Sequence, residues 1–403
     1  MRRLFYISHD TRSLSIHARE IIRHLSDAGV EVRLFCPSRA LAHLSRNDPC
    51  RAIWAGAGRV SVGMSGHLFQ VGLMLLLLSA CRDKGRPDLF YCRQTYSGLM
   101  PILLARALRI PYFAEVNGIV GLPNSNGTTL THRIKAGFEK LGLHLADVVI
   151  VPSAFLKGRV VRRYRIRPAK VAVVSNGVNA ALFSTLPAGS HEDRTKTGAF
   201  TVGFVGSMGA WQGIDVLKAA ILRVTSGDNG IHFVLVGDYT PDGDHEKMAT
   251  TGGEASVDFG WFIKQHGLER RVTYRGFVGY EATAGYMRSC DVLLAPYSHR
   301  YAEFGGGSPM KLYAYLATGT AVIVSDLGEL TDAPALRRHE AAYLVPPDDE
   351  KALADAILTL RRDSKLRWRL ARNGRDFVRS CRLWGQSARR IQEIYHHEFE
   401  IGR

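Results

Sequence analysis

A chain of 403 residues exceeds what one hydrophobic core usually supports, so two domains of about 180–200 residues are predicted. Its 46% hydrophobic and 22% charged content excludes a disordered or fibrous chain. Six cysteines (Cys36, Cys50, Cys81, Cys92, Cys290, Cys381) lie without CxxC or metal-ligand spacing, which argues against a disulfide scaffold or zinc site and for a reduced, cytoplasmic setting. The net charge of +16 falls entirely in residues 1–185, which hold 26 Lys and Arg against 10 Asp and Glu; the remainder holds 27 of each. Such asymmetry points to an anionic partner for the first half, whether membrane surface, phosphorylated acceptor or nucleic acid, with a merely Arg-rich surface as the plain alternative.

In chain order, the N-terminus reaches a charge too soon for a signal-peptide core and reads as a first strand. Leu4–Ser8, Val32–Cys36, Leu89–Cys92, Tyr112–Val116, Val148–Pro152 and Val171–Val174 are the predicted strands of the first half, with a first helix over His17–Asp27 closed by Gly29. Leu68–Ala80, with its leucines at 75–78, is the greasiest window but too short to span a bilayer. It is predicted as a buried helix, partial insertion at a membrane surface being the alternative. Ser184–Gly198 is polar and reads as a linker. The pattern then restarts with Phe200–Val205, Ile231–Val236, Val272–Arg275, Val292–Ala295, Ala321–Val324 and Ala342–Val345. Alternation of apolar strands and helices implies two Rossmann-like α/β units, a ligand being expected between them outside the carboxyl ends of the strands. The predicted division is 1–185, 186–382 and a last amphipathic helix, 383–403, packing back on the first domain.

The most informative segment runs from Ser308 to Ser325. Ser308 is a preferred N-cap and Pro309 suits the first helical position, so a helix is predicted to start there and to end at Gly319. Its first-turn amides and dipole form an anion cradle, to which Met310 contributes backbone and Lys311 a mobile positive charge. A second cradle follows strand Phe200–Val205, where Gly206, Ser207, Gln212 and Gly213 belong to a glycine-bearing loop before a helix. Val234–Asp238 and Val272–Val278 also open into glycines at strand ends, the edge on which doubly wound folds bind nucleotides.

Taken in order, Ala146–Ser153, Val173–Asn179, Gly206–Gly213, Tyr274–Val278, Cys290–Pro296, Ser308–Ser325 and Tyr343–Asp348 closely resemble the retaining, nucleotide-sugar-dependent glycosyltransferases of family 4 over nearly the whole chain. The resemblance implies the GT-B architecture, two Rossmann-like domains facing each other across a cleft, with the nucleotide in the second and the acceptor in the first. It implies sugar transfer from a nucleoside diphosphate sugar with the anomeric configuration kept, no obligatory metal and no cofactor. Four departures accompany it. Ser207 and Gln212 stand where the family often has Arg and Lys on the diphosphate, and Gly306 and Ala314 stand at its two glutamate positions. The first-domain loop reads Asp10-Thr11-Arg12-Ser13, and Glu115-Val116-Asn117-Gly118 replaces a stretch where many relatives carry a histidine facing the sugar.

The expected site is therefore Lys311, Gly206, Ser207, Gln212, Gly213, Ser308 and Met310 on the diphosphate, and Phe277 and Val278 with Glu303 on base or ribose. Glu303, His17 and Asn117 are the candidate catalytic groups, Glu303 standing in for the missing glutamates. Each has an ordinary structural alternative: solvated helix or loop residue, core strand end, cap or turn. Asn176-Gly177 is read as a turn. The acceptor is expected to be lipid-linked, glycan or otherwise anionic, with an anionic membrane meeting the N-terminal domain. A catalytically weak nucleotide-sugar-binding homologue is the alternative. Nucleic acid is not expected, because basic and aromatic residues do not interleave, and a dehydrogenase is disfavoured because no GxGxxG follows the first strand.

Overall fold

The computed structural model describes residues 1–9, 14–37, 41, 53, 58–60, 66–93, 99–119, 130–184, 199–228, 230–238, 259–304 and 307–400. The Asp10–Ser13 loop, Gly305, Gly306, Cys50 and most of the expected linker lie outside them. The chain forms two compact units, Met1–Gly177 with Trp384–Arg403, and Val178–Leu383. The first boundary thus falls before the expected residue 185. Val178 bridges to Leu383 and Phe183 is fully buried in the second unit's core, so this stretch is anchored there.

The first unit holds a parallel sheet of strands β1 (Arg3–Ile7), β2 (Glu31–Pro37), β3 (Gly58–Val60), β4 (Leu89–Arg93), β5 (Tyr112–Glu115), β6 (Val148–Val151) and β7 (Val171–Val173), in the order β3-β2-β1-β4-β5-β6-β7. Central strands such as β6 are buried along their whole length, which is why they read as continuous apolar runs. Helix α1 (Ile16–Asp27) starts where the Ser15 side chain accepts the Ala18 amide and is followed by Gly29 at φ 83°. Helices α2 (Gly66–Asp83), α3 (Leu99–Leu108), α4 (Leu130–Leu145) and α5 (Ala154–Tyr164) contribute to the core on one sheet face. On the opposite core α1 packs with the C-terminal helix, Trp384–Phe399, whose Trp384, Ala388 and Ile391 are buried. Helix α2 is not wholly buried: Leu73 and Leu77 face the core, while Val71 and Leu75 face outward.

The second unit has six parallel strands, β8 (Phe200–Val205), β9 (Ile231–Val236), β10 (Val272–Tyr274), β11 (Val292–Ala295), β12 (Ala321–Ser325) and β13 (Tyr343–Val345), in the order β10-β9-β8-β11-β12-β13. Chain direction through each sheet reverses at one point, between β1 and β4 in the first and between β8 and β11 in the second. Loops leaving the carboxyl ends of those strands diverge and leave a crevice for a ligand.

Candidate active site

In the second unit the ends of β8, β9 and β10 are sewn together through their glycines. The Gly206 amide donates to Val236 O at 2.9 Å and that of Gly237 to Gly276 O at 2.7 Å. A Cβ on Gly237 would stand 1.9 Å from Gly206 O, and one on Gly213, at φ 71°, 1.7 Å from Pro296 O. These glycines are therefore required by backbone packing around the switch point itself. Gly213 then opens the helix Ile214–Gly227, whose N-terminus directs its amides toward the same loop.

Lys311 joins this loop. It sits in the first turn of helix Met310–Ala317, and its aliphatic stem lies against Gly206, where an added Cβ would stand 2.6 Å from Lys311 Cδ. Its ammonium donates to Gln212 Oε1 at 2.5 Å, and Gln212 Nε2 donates to Ser207 Oγ at 3.4 Å. The Lys311 nitrogen is 4.1 Å from the centre of the Phe204 ring and 4.8 Å from that of Tyr297. Among the described residues no carboxylate comes within ion-pair distance of it. Burial pushes its pKa well below that of an ordinary lysine. The mobile cation expected from sequence is instead an enclosed one, because Gly206 lets its stem lie flat and three aromatic residues surround its tip.

Ser308 is not the helix cap. Pro309 occupies the cap position without a side-chain cap bond, and Ser308 precedes it at φ 62°. Its hydroxyl is 3.1 Å from the Tyr313 hydroxyl, which donates to Asp332 Oδ2 at 2.6 Å; Arg382 Nε donates to the same oxygen at 2.9 Å. The serine is thus committed to a buried polar chain that holds it in the left-handed region, a conformation costing about 1 kcal/mol or more for a side-chain-bearing residue. Met310 is at the surface, Phe277 is 74% exposed, and Val278 is half-buried against the second unit's core. Glu303 lies in a helical turn, Tyr301–Phe304, rather than a loop, and its side chain is exposed. The structure therefore joins Gly206, Ser207, Gln212, Gly213 and Lys311, whose ammonium meets Gln212 and the rings of Phe204, Tyr297 and Tyr315.

The first unit assembles a second polar centre. His17, in the first turn of α1, is buried, with Nδ1 2.8 Å from Asn176 Oδ1 and Nε2 3.0 Å from Glu115 Oε1, and its ring stands edge-on to Trp384 at 5.1 Å. Asn117 donates its side-chain amide to the same Glu115 oxygen, and Arg93 Nε is 3.9 Å away. Arg93 also donates to the Ser15 hydroxyl that caps α1. Burial raises the Glu115 carboxyl, but His17, Arg93 and Asn117 together outweigh it and hold it at about 2. His17 and Asn117 are thus brought together on a carboxylate that the sequence reading treated only as a departure from the family. The available signal was an acidic residue ending a strand otherwise buried and apolar. Asn176 is a side-chain partner of His17, and no turn forms at Asn176-Gly177.

Descriptions of known protein families match both halves of the chain. Residues 14–182 match the description "Glycosyltransferase Family 4", and residues 199–363 match "Glycosyl transferases group 1". A phosphatidyl-myo-inositol mannosyltransferase of Mycobacterium leprae is 31% identical over 224 residues, spanning 55% of this chain and 52% of that protein. A D-inositol 3-phosphate glycosyltransferase of Thermomonospora curvata is 25% identical over 415 residues, 96% of this chain and 90% of that one. Among solved structures, Alr3699/HepE of Anabaena in complex with UDP superposes with a TM-score of 0.73 at 16% identity, covering 98% of this chain and 99% of that chain, a likeness of fold.

Proposed function

The chain belongs to the family 4 glycosyltransferases, and from that premise we propose that it moves a sugar from a nucleoside diphosphate sugar, with the anomeric configuration kept and no obligatory metal, to a lipid-linked or otherwise anionic acceptor. The observation that carries the donor assignment is the enclosed Lys311 cation, set between a glycine loop and a helix start at the switch point of the second sheet, with no carboxylate within ion-pair distance among the described residues. A diphosphate is the ligand that completes such a site. Its arrival releases the Lys311 amine from Gln212 and favours the protonated form, and the cation then neutralises charge on the departing nucleotide. The first-turn amides of the helix Ile214–Gly227, opened by Gly213, supply further donors.

Exposed Glu303 supplies the carboxylate that stabilises positive charge at the anomeric carbon, and Phe277 the ring for the base. In the first unit Glu115 orients His17 and Asn117 for the acceptor. The two curated relatives are named for acceptors that carry phosphate, which, with the +16 of residues 1–185, supports an anionic acceptor at the inner face of the cell membrane. A nucleotide-sugar-binding homologue with little turnover is the second reading, favoured by buried Ala314 at the family's second glutamate position.

Thermal stabilisation by UDP, GDP, CDP and ADP sugars finds the donor, since a ligand at a hundred times its Kd adds about 2.7 kcal/mol. Donor hydrolysis followed by NMR of the released sugar then separates the readings: turnover with retained configuration supports the enzyme, and tight binding without turnover the homologue. Glu303→Gln, which keeps size and removes charge, is expected to lower turnover about a hundredfold, near 2.7 kcal/mol, with nucleotide affinity intact. Unchanged turnover removes Glu303 from the chemistry. EDTA is expected to leave the rate unaltered.

A further inference from the structure

Helices α2, α3 and α4 lie side by side over one face of the first sheet, and α5 joins them through the Tyr164 hydroxyl, which donates to Glu139 of α4. Their inner faces share one core, through residues such as Leu73, Ile102, Leu143 and Leu156. Their outer faces are unusual. Among the described residues ten large apolar side chains are exposed, and six of them are on this layer: Val71 and Leu75 on α2, Leu103 on α3, and Ile134, Phe138 and Leu141 on α4. Spacings of four and of four and three residues place those of α2 and of α4 in stripes along their helices. Leu75 is 58% exposed and Ile134 50%, more than packing within this unit explains.

Charge identifies what covers them. The four helices carry nine Lys and Arg against two Asp and Glu, of which Glu139 is buried on Tyr164 and Asp83 accepts from Ser79. From Lys157 to Lys170 there are seven basic residues and no acidic one, and Arg162, Arg163, Arg165 and Arg167 are exposed. Partial burial, then the nearness of Arg163 and Arg162, lowers the pKa of Arg159. No described helix is long and apolar enough to cross a membrane. An apolar stripe beside a basic rim, on helices too short to span, matches the interface of an anionic bilayer: rings and leucines enter the acyl boundary while arginines meet lipid phosphates.

We propose that the outer face of α2, α3 and α4, with the basic rim of α5, docks this protein on an anionic lipid bilayer. This localises the membrane contact that the lipid-linked acceptor implies, and rests on that reading for its purpose but not for its test. The full chain is sedimented with phosphatidylcholine vesicles with and without phosphatidylglycerol, at low and high salt. Binding is expected only with phosphatidylglycerol, and to fall as salt screens the charges. Arg162→Glu with Arg163→Glu is expected to weaken it about thirtyfold or more, taking a factor of about five for each basic side chain at such a surface. Leu75→Glu with Leu103→Glu, both on exposed positions, is expected to weaken it comparably while donor hydrolysis and thermal stability stay unchanged. Phe138→Trp is expected to shift its fluorescence to the blue when anionic vesicles are added.

Absence of binding by the unaltered chain, equal binding to neutral vesicles, or full binding by the Leu75 and Leu103 double variant each overturns the proposal. So does a dimer in solution that the leucine variant disperses while no vesicle binding is seen, since a second copy then covers the face. Vesicle binding in a chain that turns over no donor sugar would overturn the enzymatic reading and leave the docking face standing.

Discussion

The two units each bury an ionic centre near the switch point of a parallel sheet, and the two are opposite in kind. In the first, the Glu115 carboxylate is met by an imidazole, a guanidinium and an amide, and its pKa of about 2 records how fully it is satisfied. In the second, the Lys311 amine meets an amide oxygen and aromatic faces but, among the described residues, no carboxylate, and burial drives its pKa down. A buried charge with its partners in place is structure, whereas a buried charge lacking its counter-ion destabilises the empty protein and is tolerated where a ligand supplies the balance. In the proposed function the first centre accordingly serves positioning and the second anion binding.

The largest expected effect breaks the first centre. Glu115→Gln leaves His17 and Arg93 around a neutral amide and should cost about 3–5 kcal/mol of stability, read as a lowered denaturation midpoint. The pH dependence has a definite sign. A carboxyl at about 2 in the fold and 4.5 in the unfolded chain stabilises fully above 4.5, and that stability is lost as pH falls toward 2. The variant should show a correspondingly shallower acid limb. A wild-type-like profile would mean that the carboxylate is not the hub of this cluster.

Breaking the second centre should do the reverse to stability. Lys311→Met keeps the stem against Gly206 and removes a poorly compensated charge, so melting temperature is expected to rise while turnover falls about a hundredfold and nucleotide affinity about tenfold. Here too the pH sign is fixed. The unfolded lysine binds a proton near 10.5 that the folded one releases lower, so native stability climbs with pH up to that value, and the variant should lose this climb. A less stable variant with unaltered nucleotide affinity would make Lys311 a core residue and nothing more.

Most strands were legible because a parallel strand buried on both faces is written as an uninterrupted apolar run; Phe200–Val205, Ile231–Val236 and Val292–Ala295 fall where the sequence places them. The strand Gly58–Val60 was not, since three residues with a central arginine at a sheet edge carry no such signal. At the sites, His17, Asn117, Lys311 and Gln212 could be named singly from position. What could not be read was who holds whom. That Glu115 meets His17, or that Gly206 admits the Lys311 stem, depends on residues about a hundred positions apart being brought together where a strand ends and a helix begins.

The smallest expected effect sharpens the comparison at the edge of the second centre, Ser308. At φ 62° a serine is strained, and glycine there removes the strain while losing the hydroxyl contact with Tyr313, each worth about 1 kcal/mol and opposed in sign. Ser308→Gly should therefore leave stability within about 0.5 kcal/mol of the parent, measured by denaturant unfolding. Nucleotide affinity carries the discrimination. If the hydroxyl serves only the Tyr313–Asp332–Arg382 chain, the donor diphosphate is held by Lys311 and backbone amides, and affinity for the nucleotide is unchanged in the variant. If the serine instead turns to the phosphates when the donor binds, affinity falls about tenfold, near 1.4 kcal/mol, with stability still close to that of the parent. The first outcome is expected, because a hydroxyl already engaged in a buried chain gains little by exchanging one partner for another, whereas the Lys311 amine, with no counter-ion among the described residues, gains a full charge pair.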